Sequence, residues 1–210
     1  MMMERTQIDK QTLIIDGICY TAEDARPCGH EPSRLQTAFY EQYGKDSFQA
    51  SLADFLAEWF SASEQVLVHT SGSTGTPKPM WVEKQRMMAS ACLTCSFLGL
   101  QENDTALLCM PLKYIAGKMM VVRALVYGLN LIVSPPSGHP LANLSASPVF
   151  AAMIPMQVFN SLQNPSERAL LTEIKHLIIG GGAVDAEVEK QLQAFPHAVW
   201  STYGMTETLS

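Results

Sequence analysis

Hydrophobic and polar positions along the first third of the chain predict a hairpin followed by two helices. Apolar residues lie on both sides of Asp16-Gly17 in the stretch 13–20, and an Asp-Gly pair is typical of a two-residue hairpin turn. Helices are predicted over 32–43 and 48–60. The second helix has apolar residues at helical spacing, which are Phe48, Leu52, Phe55, Leu56, Trp59 and Phe60. This stripe indicates a face packed into a core rather than a surface for a cofactor.

From about residue 65 onward, short apolar runs alternate with longer helical patterns. Strands are predicted over 65–69, 80–82, 105–110, 129–134, 149–154, 176–179 and 198–202. Helices are predicted over 84–98, 115–127, 156–162, 166–172 and 185–194, the last of them capped by Asp185. The alternation predicts an α/β fold of mainly parallel strands with crossover helices. Ligands of such sheets bind beyond the carboxyl ends of the strands, so a site is expected in the loops after residues 70, 110, 154, 179 and 202.

Composition and charge narrow the class of protein. The 210 residues are 47% hydrophobic, which is ample for a buried core, and the formal net charge is −6. No basic run is present, so the charge pattern does not favour a nucleic-acid partner. The amino terminus carries charges without an apolar core, and no run of 18 apolar residues occurs. We therefore expect a cytoplasmic protein without a membrane span.

Five cysteines form an odd, sparse set that is typical of a reducing compartment. Cys92 and Cys95 have the C-x-x-C spacing of a redox pair or of half a zinc site. No second Cys/His pair has suitable spacing, and the run around them is apolar with a helical period. Helix packing is therefore the favoured interpretation of this pair.

One nine-residue stretch concentrates hydrogen-bond donors directly after a predicted strand. It reads Thr70-Ser71-Gly72-Ser73-Thr74-Gly75-Thr76-Pro77-Lys78. Glycines let backbone amides turn toward one point, hydroxyls add donors, and the lysine adds a mobile positive charge. A donor-rich loop of this kind suits a polyphosphate, although a Gly/Ser/Thr turn between two strands has a similar composition.

This stretch resembles the signature loop of adenylate-forming enzymes, which include acyl-CoA synthetases, luciferases and the adenylation domains of peptide synthetases. It differs from the P-loop, in which a lysine directly follows the second glycine and opens a helix. Here Lys78 follows Gly75 by three positions, with Pro77 between them. The resemblance extends over about residues 65–208.

A second stretch follows the predicted strand 105–110, and its first residues are Pro111-Leu112-Lys113-Tyr114-Ile115-Ala116-Gly117. Arg123 follows in an otherwise apolar helix, where a buried guanidinium needs an anionic partner, either an acidic side chain or a ligand. The stretch resembles P-L-x-H-x-x-G of the adenylate-forming family, with Tyr114 where the family often has His at the acyl-channel gate. The arginine resembles one in the o-succinylbenzoate–CoA ligase branch, where it is thought to meet a substrate carboxylate, which favours a ligand.

Two more stretches complete the candidate site. Gly180-Gly181-Gly182 follows the predicted strand 176–179, as either a flexible strand exit or a bare backbone surface for a flat ligand. The last motif is Ser201-Thr202-Tyr203-Gly204-Met205-Thr206-Glu207, which resembles Y-G-x-T-E of the same family. Its tyrosine suits stacking on a base, its threonine suits donation to a phosphate, and its glutamate suits Mg²⁺.

The resemblance implies an AMP-forming acid–thiol ligase of menaquinone biosynthesis that uses ATP, Mg²⁺ and coenzyme A with a small-molecule carboxylate. The implied catalytic residues are Thr206 and Glu207, with Glu207 also the metal ligand. The implied ATP-binding residues are Thr70, Ser71, Gly72, Ser73, Thr74, Gly75, Lys78, Gly181, Gly182, Tyr203, Gly204 and Thr206. The implied substrate-binding residues are Tyr114, Arg123, Gly180 and Met205. Ala152 departs from many succinylbenzoate ligases, which have Ser at this position, so one substrate contact differs.

We divide the chain into an N-terminal hairpin and helices (1–64) and an α/β nucleotide- and acyl-binding region (65–210). In the family a ribose-binding Asp, a hinge and a C-terminal domain with a catalytic Lys come later in the chain. The sequence is therefore expected to be the N-terminal part of a ligase and nearly inactive alone. The alternatives are another acyl- or aryl-CoA ligase, a non-catalytic nucleotide-binding module and a phosphotransferase. The last would need a carboxylate base near Lys78, for which the sequence offers no motif.

Overall fold

The computed structural model describes residues 5–70, 77–202 and 204. A 3₁₀ turn at Ile8–Lys10 comes before the first strand. The strands are β1 (Thr12–Ile15), β2 (Ile18–Thr21), β3 (Gln65–His69), β4 (Pro79–Glu83), β5 (Thr105–Leu108), β6 (Asn130–Val133), β7 (Phe150–Met153), β8 (His176–Ile179) and β9 (Val199–Ser201). The helices are α1 (Ala22–Ala25), α2 (Arg34–Tyr43), α3 (Phe48–Trp59), α4 (Lys84–Leu98), α5 (Ile115–Tyr127), α6 (Pro155–Gln163), α7 (Pro165–Thr172) and α8 (Ala186–Leu192).

A seven-stranded sheet, in the order β2-β1-β6-β5-β7-β8-β9, forms the centre of the described fold. Every neighbouring pair in it is parallel except β1 and β2. The carboxyl ends of β5, β7, β8 and β9 therefore meet at one edge, which confirms the predicted α/β class. Buried apolar residues from these strands and from helices α3, α4 and α5 form one core.

The predicted hairpin is confirmed, and it joins the main sheet. Asp16 and Gly17 both have positive φ, 47° and 84°, as a two-residue hairpin turn with two left-handed positions requires. The first strand of the hairpin, β1, also pairs in parallel with β6, so Ile14 lies opposite Asn130. The Asn130 side chain also accepts a hydrogen bond from the Gly17 amide at 3.0 Å.

The predicted, mainly parallel arrangement is confirmed, with an exception outside the main sheet. Strands β3 and β4 form a separate two-stranded antiparallel sheet. Burial alternates along both strands, and an antiparallel pair packed on one face has this period. By contrast, β7 is buried at every position, as expected for a central parallel strand.

Helix boundaries agree closely with the apolar periodicity. The stripe on α3 is largely buried, with Trp59 completely enclosed and its indole Nε1 donating to Gln11 at 2.8 Å. Asp185 is the N-cap of α8, and its side chain accepts a hydrogen bond from the Glu187 amide. Within the described residues, no helix is both long enough and apolar enough to cross a membrane.

Candidate functional site

The two ends of the donor-rich loop lie against each other at the end of β3. The Thr70 amide donates to the Lys78 carbonyl at 3.0 Å, and the Lys78 amide donates to Thr70 Oγ1 at 3.0 Å. The Lys78 side chain is exposed. The residues between, Ser71 through Thr76, lie outside the described residues. The structure therefore shows a closed neck, Thr70 with Lys78, at the two ends of this stretch.

This neck adjoins the start of α5. The His69 amide donates to the Lys113 carbonyl at 3.2 Å, and His69 and Tyr114 form an isolated parallel bridge. Tyr114 is the N-cap residue of α5 and half-buried. Backbone contacts thus join His69, the residue directly before the neck, to the stretch 111–117 that the sequence singled out separately.

Gly117 sets how closely α5 approaches the end of β5. A Cβ atom at this position would lie 2.5 Å from the Pro111 carbonyl oxygen and 2.7 Å from that of Met110. Only a residue without a side chain fits there, because both neighbours are backbone atoms. The first turn of α5 is therefore packed directly against the strand exit, and this packing positions Tyr114.

The glycine stretch lies where β7, β8 and β9 end. A Cβ on Gly180 would lie 3.0 Å from Thr202 Oγ1, and one on Gly181 would lie 3.3 Å from Ile154 Cγ2. Gly181 also has a φ of 80°, which side chains disfavour. Gly180, Gly181 and the strand exits at 154 and 202 are thus adjacent, as predicted. Gly204 is exposed, and Tyr203, Met205, Thr206 and Glu207 lie outside the described residues.

Arg123 is on α5, and its side chain is buried against α4 and β7. Its guanidinium lies 6.0 Å from the Phe150 ring centroid, and its Nη1 is 3.6 Å from Met120 Sδ. Its Nε has no hydrogen-bond partner, and none of the ion pairs among the described residues includes it. Burial lowers the pKa of the guanidinium, and the main electrostatic neighbour is the Cys95 thiol. Because no acidic partner of Arg123 lies among the described residues, its buried charge carries a desolvation cost that they do not offset with a salt bridge.

Arg123 and Tyr114 lie at different heights on the same helix. Nine residues of α-helix correspond to about 13 Å along the axis. Tyr114 adjoins the neck of the loop, whereas Arg123 lies deeper, beside Phe150 at the amino end of β7. The described contacts place the two residues on one helix without joining them directly.

Gln157 is a buried polar residue that the sequence did not single out. Its Nε2 donates to the carbonyls of Cys109 at 3.3 Å and Ser137 at 2.9 Å, and its Oε1 accepts from the Ile154 amide at 3.2 Å. It therefore ties the exits of β5 and β7 to the segment after β6. The sequence contains no capping-box signal for this residue, because the N-cap Ile154 lacks a side-chain acceptor.

The cysteine pair packs a helix, as favoured from the sequence. Cys92 is half-buried and Cys95 is fully buried on α4, and both are free thiols. No group of three metal-ligating side chains occurs within the described ranges. Burial raises the pKa of the thiols of Cys95 and Cys109 from 9.0 to about 12.

These buried thiols predict a loss of stability in alkali. Between pH 9 and 12 the unfolded chain releases both protons while the folded chain keeps them, so the free energy of unfolding falls as pH rises. Each thiol contributes a slope of up to about 1.4 kcal/mol per pH unit. Urea unfolding at pH 8 and 10.5 measures it, and Cys95→Ala/Cys109→Ala should show a shallower pH dependence. An unchanged slope in that variant would contradict the assignment.

Comparison with known proteins identifies the family of this chain. The pattern of the AMP-binding enzyme family matches residues 22–210. The 2-succinylbenzoate–CoA ligase of Salmonella typhimurium is 30% identical over 162 residues, which cover 77% of this chain and 34% of the relative. The 2-succinylbenzoate–CoA ligase of Bacillus mycoides is 26% identical over 160 residues, covering 74% of this chain and 33% of the relative. The chain thus spans about a third of the length of these curated relatives.

Solved structures show the same fold. An acyl-CoA synthetase (AMP-forming)/AMP-acid ligase II-like protein from Dyadobacter fermentans has a TM-score of 0.74 at 36% identity, covering 79% of this chain and 48% of that one. The O-succinylbenzoate coenzyme A synthetase from Bacillus subtilis, in complex with ATP and magnesium ion, has a TM-score of 0.63 at 17% identity and covers 100% of this chain. At 17% identity, the similarity to the Bacillus subtilis structure shows a shared fold alone. Because the family pattern covers most of the sequence, this chain belongs to the AMP-binding enzyme family.

Proposed function

We propose that the chain provides the ATP- and carboxylate-binding part of an AMP-forming acid–thiol ligase. One observation carries the proposal. The first turn of α5 adjoins the neck of the donor-rich loop, and its third turn carries Arg123, a buried cation without an acidic partner among the described residues. With both sites on one helix, a dicarboxylate could bind Arg123 through one carboxylate while the other is held near the nucleotide phosphates for reaction.

In the proposed reaction, a substrate carboxylate oxygen attacks the α-phosphorus of ATP and pyrophosphate leaves. Lys78 and the amides of 71–75 would hold the departing phosphates, and Thr206 would donate to the α-phosphate. Gly180 to Gly182 would offer bare backbone to the adenine and the acyl group. Glu207 would hold Mg²⁺, whose charge neutralises phosphate oxygens. The thiol of coenzyme A then attacks the acyl carbon and displaces AMP.

The proposed substrate is a dicarboxylate such as o-succinylbenzoate, which would place the reaction in menaquinone biosynthesis. One carboxylate would react with ATP, and Arg123 would bind the other. The resemblance of the curated relatives supports this choice, and so does the missing acidic partner of Arg123. Ala152 and Tyr114 stand where related ligases often have Ser and His, so the surroundings of the acyl group differ from theirs.

A binding measurement tests the nucleotide part. We expect Lys78→Ala to weaken ATP-Mg²⁺ binding about ten- to a hundredfold in calorimetry, the effect of losing one charge-assisted contact. The matched control is Lys175→Ala, which removes another exposed lysine just before β8, at the opposite end of that strand from Gly180. Equal affinities for wild type and Lys78→Ala would contradict the role of Lys78. ATP binding without any dicarboxylate binding would favour a separate nucleotide-binding module.

A further inference from the structure

Two charged side chains form hydrogen bonds with the edge of β3 that is not paired with β4. Glu58, near the end of α3, accepts a hydrogen bond at Oε1 from the Leu67 amide at 2.6 Å. Lys118, in the first turn of α5, donates from Nζ to the Leu67 carbonyl at 2.7 Å. The same Nζ lies 2.8 Å from Glu58 Oε2. Both backbone groups of one residue are therefore bound by the two members of one ion pair.

The environment makes this arrangement strong. The Lys118 side chain is 8% exposed and that of Glu58 is 29% exposed, so water competes little for the lysine. Lys118 Nζ also lies 4.6 Å from the centroid of the Phe55 ring, which attracts a cation. Hydrogen bonds to charged groups in such surroundings are stronger than those between neutral groups.

These contacts fix one end of the candidate site. Leu67 is three residues before Thr70, where the neck of the loop begins. Two residues beyond Leu67, the His69 amide donates to the Lys113 carbonyl. The strand β3 is thus attached to the start of α5 at Leu67 and at His69, and the neck formed by Thr70 and Lys78 follows directly.

We propose that Glu58 and Lys118 are positioning residues for the donor-rich loop. By holding Leu67, the ion pair fixes β3 against the first turn of α5 and so sets the position of Thr70 and Lys78 relative to Tyr114. The inference rests on the proposed function, since a phosphate ligand for this loop is itself proposed. Neither residue was singled out from the sequence, and neither touches the substrates in this proposal.

Hydrogen exchange of the free protein tests the proposal without any ligand. In Lys118→Met we expect the amides of Thr70 and Lys78 to exchange about tenfold faster or more, because their strand loses an anchor. The matched control is Lys84→Met. Lys84 is also buried, its Nζ donates to the Ser61 carbonyl at 3.0 Å, and Glu58 is its main electrostatic partner. Since Ser61 lies at the end of α3 and outside β3, the control should leave the two amides within about twofold of wild type.

A double variant separates positioning from general stability. Lys118→Met leaves the Glu58 carboxylate without its partner, and adding Glu58→Gln removes that charge while keeping an oxygen for the Leu67 amide. We expect the double variant to regain much of the urea midpoint lost in Lys118→Met. Exchange at Thr70 and Lys78 should stay fast, because the bond to the Leu67 carbonyl is still missing. Exchange that recovers together with the midpoint would overturn the proposal, as would equal exchange in Lys118→Met and Lys84→Met.

Calorimetry with ATP-Mg²⁺ then links the anchor to binding. If wild type binds, Lys118→Met and the double variant should both bind about tenfold more weakly, whereas Lys84→Met should bind like wild type. Equal affinity in wild type and Lys118→Met would overturn the positioning role. A wild type that binds no nucleotide would refute the proposed function, and the exchange result would still decide whether the ion pair holds the neck of the loop.

Discussion

Replacing Arg123 with Met should make the free protein more stable and at the same time remove carboxylate binding. The guanidinium is buried, its Nε has no hydrogen-bond partner, and burial lowers its pKa. The contacts that favour it are the Phe150 ring at 6.0 Å and Met120 Sδ at 3.6 Å. A cation–π contact contributes about 0.5–2 kcal/mol, less than the desolvation of an unpaired charge. Methionine keeps most of the aliphatic length, so we expect the free energy of unfolding to rise by about 1–4 kcal/mol.

Urea unfolding and ligand binding measure the two halves of this prediction. The affinity for the dicarboxylate should fall about ten- to a hundredfold, while that for ATP-Mg²⁺ should stay within about twofold. The matched control is Arg168→Met, which removes an exposed arginine from α7 and should change stability by less than about 0.5 kcal/mol. A less stable Arg123→Met protein would show that the guanidinium is satisfied in the folded chain. Equal losses for both ligands would refute the assigned role of Arg123.

Elements with a single strong pattern were predictable. The Asp16-Gly17 turn, the N-cap at Asp185 and the bounds of α4 agree with the sequence because each depends on neighbouring residues alone. Strand pairings between residues distant in the chain were not predictable. The pairing of β1 with β6 joins residues more than a hundred positions apart, and nothing in the hairpin itself indicates which strand it will meet.

The antiparallel pairing of β3 with β4 follows from the sequence of this region. Gln65, Leu67 and His69 alternate with the fully buried Val66 and Val68, and this alternation is typical of a strand with one solvated face. The donor-rich loop between β3 and β4 contains no helix pattern. It therefore favours an antiparallel connection over a parallel crossover.

The candidate site was predictable where residue type alone is unusual. A cation within the apolar helix α5 is unusual, and this criterion applies to Lys118 as well as to Arg123. Only the structure distinguishes them, because the partner of Lys118 is Glu58, 60 residues away, while Arg123 has no acidic partner in the described part of the chain. The roles of all the candidate site residues stay predictions, and 71–76, Tyr203, Met205, Thr206 and Glu207 also lie outside the described residues.

Gly117→Ala should destabilise the protein although alanine is the better helix former. In an open helix the change would stabilise by about 1 kcal/mol. Here the new Cβ would lie 2.5 Å from Pro111 O, 2.7 Å from Met110 O and 2.8 Å from Pro111 C. These are backbone atoms at the exit of β5, so α5 itself must move. Overpacking of this kind typically costs about 1–3 kcal/mol and occasionally more.

Gly182→Ala is the matched control for this change, since its Cβ would meet Pro155 Cγ at 3.7 Å, an ordinary contact. Its free energy of unfolding in urea should stay within about 0.5 kcal/mol of wild type. Displacing the first turn of α5 also moves Tyr114 and Lys118, so Gly117→Ala should speed amide exchange at Thr70 as Lys118→Met does. A Gly117→Ala protein as stable as wild type would show that α5 can shift without loss. In that case the close contact at Pro111 would not be what holds Tyr114 beside the neck of the loop.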